Sequence, residues 1–352
     1  MTQIQTGIQE VDPRHRLDVD RLDAYLQGRL EDLTGPLRVR QFVGGQSNPT
    51  YHLSDGRREW VLRRKPPGKL VSGAHAVDRE FRILSALAKV DFPAPRPRVY
   101  CADESIIGTE FYVMDRIEGR ILVDQTLPGW SPEERRSLYA SQIEILARLH
   151  SLDPQAIGLG DYGKPGNYFA RQIHVWGKQY ASADVPRSAA MERLMEWLPQ
   201  NIPDDPSTSI VHGDYGLNNM IIHPTEPRLV AILDWELSTL GHPLADLTYH
   251  LSQRLSPGGH FAGMIDARLL ELGIPTRDEY VAGYCERTGR RNGIPQLDFY
   301  LAFHLFRTAG IMFGIAGRAK AGTAAGGEAS ELGKLALPLA DRALELARGL
   351  GA

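Results

Sequence analysis

The sequence predicts an α+β fold in two lobes: a small antiparallel-sheet lobe with one main helix, then a larger, mostly helical lobe. Three observations carry this reading. The 352 residues exceed what one ordinary core serves. Short alternating segments and a hairpin signal crowd the stretch before Arg116. From Ile117 onward helical periodicity dominates. The boundary is expected at Arg116 to Gly119, where a strand ends in a polar, glycine-containing link, giving lobes of residues 1–116 and 117–352.

Along the small lobe, the first fifteen or so residues read as mobile. Asp18 to Leu30 carries Val19, Leu22, Leu26 and Leu30 as one helical stripe. Leu37 to Val43 alternates as a strand does, and Gly44 to Pro49 interrupts it as a tight polar loop. Thr50–Leu53 and Glu59–Arg63 flank Ser54-Asp55-Gly56, a hairpin signal. A helix is expected near Ala76 to Val90 with Val77, Phe81, Leu84 and Leu87 inward, then strands near Val99 and Glu110 to Asp115.

In the second lobe, helices are expected at Pro132–Leu152, Tyr168–Tyr180, Met191–Leu198, Leu244–Leu251, Leu297–Lys320 and Glu331–Leu346. Pro132 with Glu133 and Glu134 suits a helix start. Pro338 is expected to break or kink the last helix. Gly322 to Gly327 reads as a flexible loop.

Composition narrows the function. A hydrophobic share of 42% and a charged share of 24% suit a soluble globular protein. A net charge of −3 gives no reason to expect nucleic-acid binding. Cys101 and Cys285 match no zinc or redox spacing, so a reducing, cytoplasmic setting is expected. The N-terminal stretch lacks the apolar core of a secretory signal. No apolar stretch is read as approaching the roughly 18 residues of a membrane helix, so no membrane partner is expected. The expected partner is a small-molecule substrate, with a homodimer as the candidate assembly.

Chemistry concentrates in Ile210 to Glu236, IVHGDYGLNNMIIHPTEPRLVAILDWE. Asp214 and Asn219 are five apart, and Asp234 ends an apolar run that reads as a buried strand. Phosphoryl transfer needs positioning and charge neutralisation more than covalent chemistry. Asp214 can accept the proton of an attacking hydroxyl. Asn219 and Asp234 are oxygen ligands suited to Mg²⁺. Asp and Asn as mere turn formers is the competing reading, and the clustered spacing counts against it. His212, at a strand end, is read as a packed structural residue. No second histidine stands at ligand spacing, which argues against a transition metal. Asp246 heads an apolar helix, either capping it or reaching back to fix the catalytic loop.

Upstream, a glycine hairpin at Gly44 and Gly45 lets backbone N–H groups approach phosphates, and Ser47 and Asn48 add donors. Such hairpins are common, so the loop alone identifies nothing. Val61 and Arg63 share one strand face; Val61 can cover an adenine while Arg63 reaches phosphates, with Glu80 as its carboxylate. Arg64 and Lys65 compete for that role, and a solvated basic strand end would look the same. In the long apolar helix, His304, Arg307 and Thr308 share one face, and a buried arginine needs an anion. That anion is either a protein carboxylate or part of a substrate. Arg171, Gln172, Trp176 and Gln179 form a similar polar and aromatic face.

On VHGDYGLNN, ILDWE and the GGQSN loop, the chain resembles the aminoglycoside phosphotransferase and choline kinase group, of protein-kinase-like fold. The resemblance implies Asp214 as catalytic base, Asn219 and Asp234 as Mg²⁺ ligands and Asp246 as the helix acid supporting the catalytic loop. It implies Glu80 as partner of the phosphate-binding cation. It also implies a hinge at Val113 to Ile117, with Met114, Asp115 and Ile117 at adenine. Arg63 stands where the group often has lysine. Within the group the chain looks similar to kinase-like domains linked to acyl-CoA dehydrogenases, on VLRRKPPGKLVSGAHAVDREFRIL and NYFARQIHVWGKQY. That implies ATP and Mg²⁺ as cofactors and a small hydroxy acid, or its CoA thioester, as phosphate acceptor. An aminoglycoside or choline-like acceptor, a nucleotide-binding module without transfer and a phosphohydrolase are the competing classes.

Overall fold

A computed structural model describes residues 7–43, 48–66, 76–257, 259–322 and 332–352. They fall into two compact units that are not continuous in sequence. The first takes the described residues of Met1–Pro128, Pro154–Gly160 and Leu217–Ser238; the second takes those of Gly129–Asp153, Asp161–Gly216 and Thr239–Ala352. The sequence reading drew one cut near residue 116. In the structure, the segment holding Asn219 and Asp234 returns to the first unit.

The first unit is built on a six-stranded antiparallel sheet. Its strands are β1 (Ile8–Gln9), β2 (Arg38–Phe42), β3 (Thr50–Ser54), β4 (Glu59–Arg64), β5 (Pro97–Cys101) and β6 (Phe111–Asp115). Their spatial order is β1-β2-β3-β4-β6-β5. The β3–β4 hairpin closes as expected, with Ser54 opposite Glu59. The Asp55 carboxylate accepts from the Arg57 and Arg58 N–H groups, both at 2.8 Å, while Gly56 supplies the positive φ of 88°.

Period-two alternation gives this sheet two different faces. On one face Tyr51, Leu53, Trp60, Leu62, Phe111 and Val113 bury against Leu22 and Leu26 of helix α1 (Val19–Leu26). On the other, Val61, Arg63, Tyr112 and Met114 lie on the side of helix α2 (Val77–Ala88). Within α2, Glu80 is buried with Val77, Leu84 and Leu87, whereas Phe81, expected inward, is only half-buried. The N-terminal stretch departs from expectation. Ile8 and Gln9 pair with Phe42 and Gln41, and Asp12 caps a helical turn at Pro13–His15 by accepting from the Arg14 N–H at 2.8 Å.

The second unit is mainly helical: α3 (Pro132–His150), α4 (Tyr168–Ser182), α5 (Ala189–Trp197), α6 (Leu244–Ser252), α7 (Asp266–Leu272), α8 (Arg277–Thr288), α9 (Leu297–Lys320) and α10 (Ala336–Arg348). Helix α9 packs against α4, α6 and α10, and α3 packs against α8. The expected helix at Glu331–Leu346 is interrupted by a turn at Lys334 and Leu335, and α10 begins at Ala336 with Pro338 in its first turn, where its missing N–H costs nothing, so the break expected there is present. One finding corrects the sequence reading. Helix α9 is long and apolar enough to cross a membrane, contrary to expectation, with 61% of that stretch buried inside the protein. A core helix meets the same criterion, because it is apolar on every side. Both cysteines are free and buried. Most of the expected Gly322–Gly327 loop lies outside the described residues.

Docking of α1 on the sheet sets a first prediction. Leu26 is fully buried in that cluster, so Leu26→Ala should cost about 2–5 kcal/mol. Urea denaturation followed by circular dichroism measures this, and a loss below about 1 kcal/mol would mean that the helix is not part of the core.

Candidate active site

A cavity of about 500 Å³ opens within the first unit, and the residues singled out from sequence converge on it. Val61, Arg63, Glu80, Met114, Asp115, Ile117, Asn219 and Asp234 all line its wall. Val61 and Met114 are directly paired across β4 and β6, so strand and hinge present one apolar surface. Asp115 is held by Arg98 at 2.7 and 2.8 Å. Beyond the hinge, Gly119 has no room for a side chain: a Cβ would sit 2.3 Å from Ile221 Cγ2 and 2.4 Å from the Ile222 carbonyl. Arg120 N–H and carbonyl both bond to Ile222 at 2.8 Å, fixing the link after the hinge.

The three basic residues have different partners, and of them Arg63 lines the cavity. The Arg63 Nη1 donates to Glu80 Oε1 at 2.7 Å and its Nη2 to Asp234 Oδ1 at 3.0 Å. Arg64 points to the opposite face, donating to the carbonyls of His15 and Ile107. Lys65 pairs with Glu110 at 2.9 Å. Burial opposes the charge on Arg63, yet the carboxylates of Glu80 and Asp234 overcome it and hold the guanidinium above its ordinary pKa. Asn48 is buried, with its Nδ2 directed to Glu236 Oε2 at 3.4 Å. Gly44, Gly45 and Ser47 lie outside the described residues.

Asn219 and Asp234 are neighbours because of a hairpin. Met220–Ile222 pairs with Leu229–Ile232, and Leu233 N–H bonds to the Asn219 carbonyl at 2.8 Å. Asp234 then adopts a left-handed backbone, φ 62° and ψ 64°, rare for a residue with a side chain. Trp235 behind it is buried, donates to the Ile232 carbonyl at 3.0 Å and meets Phe92 edge-on. Among the described residues no group of three or more His, Cys, Asp or Glu side chains could hold a metal. One carboxylate and one amide oxygen are still a fitting donor set for Mg²⁺, which keeps several waters and takes the rest of its shell from phosphates.

The loop carrying Asp214 belongs to the second unit. It follows strand Ser209–Val211, which pairs with Thr239–Gly241. Asp246, fully buried in the first turn of α6, accepts from the N–H groups of His212 at 2.6 Å and Gly213 at 2.8 Å. His150 Nε2 lies 3.3 Å from the same carboxylate, and His150 Nδ1 is 2.8 Å from the Tyr284 hydroxyl. Asp246 thus reaches back to the loop and does not cap its own helix. Burial alone would raise its pKa; the bond and charge of His150, then the charge and N–H of His212, bring it below the ordinary carboxylate value. His212 is fully buried, and its Nδ1 accepts from the Asp214 N–H at 3.2 Å, consistent with its structural reading.

The residues proposed for acceptor contact divide. Arg307 is half-buried; its Nη2 donates to the Gly213 carbonyl at 3.4 Å, and its Cζ lies 5.2 Å from the Trp176 ring centroid and 5.3 Å from that of Tyr249. His304 is buried beneath, its ring 5.8 Å from Tyr249. Arg171, on α4, is turned to the carbonyls of Lys164 and Gly166 in the segment that precedes the helix. Sequence reasoning missed Tyr249 and Gly119. Tyr249 sits on the α6 stripe, three residues after Asp246, a spacing that puts both on one side of the helix.

The role of Asp246 is testable through stability. Asp246→Ala leaves the buried N–H of His212, the part-buried N–H of Gly213 and the His150 ring without this carboxylate and should cost about 3–5 kcal/mol at pH 7. A depressed folded pKa stabilises above the unfolded value and ceases to as pH falls through the folded value. The gap between wild type and variant should therefore narrow below about pH 4 in chemical denaturation. A gap unchanged by pH would contradict the carboxylate's role.

The phosphotransferase enzyme family matches residues 38–300 of the chain. The acyl-CoA dehydrogenase family member 11 of Gallus gallus is 42% identical over 362 residues, which take in 99% of this chain and 46% of that protein. The chain thus spans less than half the length of this relative. A crystal structure from Ralstonia eutropha, provisionally assigned as an aminoglycoside phosphotransferase, is 47% identical with a TM-score of 0.86, covering 95% of this chain and 99% of that one. A thermostable mutant aminoglycoside phosphotransferase in ternary complex with AMP-PNP and hygromycin B shares the fold at 16% identity and a TM-score of 0.60, covering 94% of this chain and 99% of that one. Strands β2 to β6, the cavity and the loop carrying Asp214 all lie inside the matched span, and the chain belongs to the phosphotransferase enzyme family.

Proposed function

We propose that the protein transfers the γ-phosphate of ATP to a hydroxyl of a small molecule, with Asp214 as base. The observation that carries this is Arg63, bound to both Glu80 and Asp234 in a cavity that Asn219 also lines. Adenine fits the apolar wall of Val61 and Met114, against the hinge backbone at Asp115 to Ile117. Arg63, with its orientation set by Glu80, donates to phosphate oxygens. The fold neighbour that binds AMP-PNP supports this choice of nucleotide.

Asn219 and Asp234 are the residues that would hold Mg²⁺, which when bound neutralises charge on the transferring phosphate. Asp214 orients the acceptor hydroxyl and takes its proton as the oxygen attacks phosphorus. The N–H groups donated to Asp246 keep the backbone of Asp214's loop in place, so little reorganisation is needed at the moment of transfer. For the acceptor we favour a small hydroxy acid or its CoA thioester. The support is the likeness to proteins named as acyl-CoA dehydrogenase family members and the presence of a cation, Arg307, beside the catalytic loop. A polycationic antibiotic would call for carboxylates there.

The test is ATP turnover by purified protein with Mg²⁺ across hydroxy acids, hydroxyacyl-CoA thioesters, amino alcohols and aminoglycosides. Asp214→Ala should lower kcat for the best acceptor by about 10²–10⁴-fold with little change in nucleotide affinity. A variant as active as wild type would remove the base assignment. Nucleotide binding with no turnover on any acceptor would favour a module that senses ATP without transferring phosphate.

A further inference from the structure

We infer that Arg307, flanked by Trp176 and Tyr249, is the residue that recognises an oxyanion on the phosphate acceptor. The inference rests on the phosphotransfer reading and names the chemistry of its substrate. Among the described residues, no carboxylate lies within ion-pair distance of Arg307; its contacts are the Gly213 carbonyl at 3.4 Å and the two rings. A half-buried guanidinium with no acid partner among the described residues calls for an anion from elsewhere. Neither ring accepts a conventional hydrogen bond, so donors of the guanidinium beyond the one directed to Gly213 remain for an oxyanion, and a guanidinium matches a carboxylate or phosphate.

The mounting is rigid. The Trp176 Nε1 donates to Gln172 Oε1 at 3.0 Å, and Tyr249 is backed by the buried ring of His304. Burial, and next the charge of Arg307, hold His304 far below its ordinary pKa, so it adds no competing charge. Gly213 directly precedes Asp214, so the oxyanion is held one residue from the base. Tyr249 connects the two: burial, and then the nearby Asp214 charge, raise its phenol pKa and keep the hydroxyl protonated.

Steady-state kinetics with a free hydroxy acid, its methyl ester and its CoA thioester tests this on wild type and Arg307→Gln. The variant should raise KM for the anionic acceptor by about 10- to 100-fold. KM for ATP should stay as in wild type, and the neutral ester should be affected far less than the anionic acceptor. Dependence on Arg307 in the free-acid arm assigns the carboxylate, and dependence confined to the thioester assigns the CoA phosphates; either supports an oxyanion site. Equal loss of kcat with charged and neutral acceptors would overturn it, leaving Arg307 as a support for the Gly213 carbonyl. Arg307→Lys, which keeps the charge but not the fork, stands in if the glutamine variant does not fold, and should show a smaller KM rise confined to anionic acceptors. If no acceptor is phosphorylated, the phosphotransfer reading itself fails. Calorimetric titration of the hydroxy acid and its thioester then decides the subsite: weaker binding by the variant supports it, and equal binding overturns it.

Discussion

Arg63 is the charge on which the first unit's site depends. Its guanidinium reaches Asp234, 171 positions away in sequence, joining the central sheet to the hairpin segment that ends there. Neither end would be in place without help. Glu80 is buried and needs a cation, while Asp234 holds a left-handed backbone of a kind that costs about 1–3 kcal/mol. One cation meets both requirements and keeps donors at the cavity. The opposite polarity of the two faces of β4 makes this possible: Trp60 and Leu62 turn to the core, and Val61 and Arg63 turn to the site.

The second unit handles a similar problem with a buried acid. Asp246 accepts from two consecutive backbone N–H groups and so fixes the loop that carries Asp214, while His150 and Tyr284 anchor it from behind. In both units a buried carboxylate is committed to positioning: Glu80 holds Arg63 at the cavity, and Asp246 holds the loop of Asp214. Such division suits phosphoryl transfer, where placement and charge carry most of the catalysis.

Much of this was legible in the sequence, for physical reasons. Helix α9 could be bounded to the residue because apolar side chains dominate it, broken by few polar residues such as His304, Arg307 and Thr308, and it ends in Arg318 and Lys320. Asp214, Asn219 and Asp234 stood out because their spacing is local. The Arg63–Asp234 contact did not, since no periodicity reports on partners so far apart. Helix α8 was missed because its surface is largely polar, although Thr276 and Glu279 form a capping box that the sequence does display. Ile8–Gln9 was read as mobile because two residues carry no pattern; pairing with Phe42 and Gln41 orders them. The return of Leu217–Ser238 to the first unit is likewise tertiary, set by packing of Trp235 on Phe92 and the bonds of Arg120 to Ile222.

The account turns on Arg63 and Glu80 acting as one unit toward nucleotide. A double-mutant cycle on the Kd for a non-hydrolysable ATP analogue with Mg²⁺, using Arg63→Gln, Glu80→Gln and the pair, measures this directly. The predicted result is that each single change weakens binding and the double variant is little worse than Arg63→Gln alone, a coupling of about 1–3 kcal/mol. Additive losses, or nucleotide binding indifferent to Arg63, would contradict it.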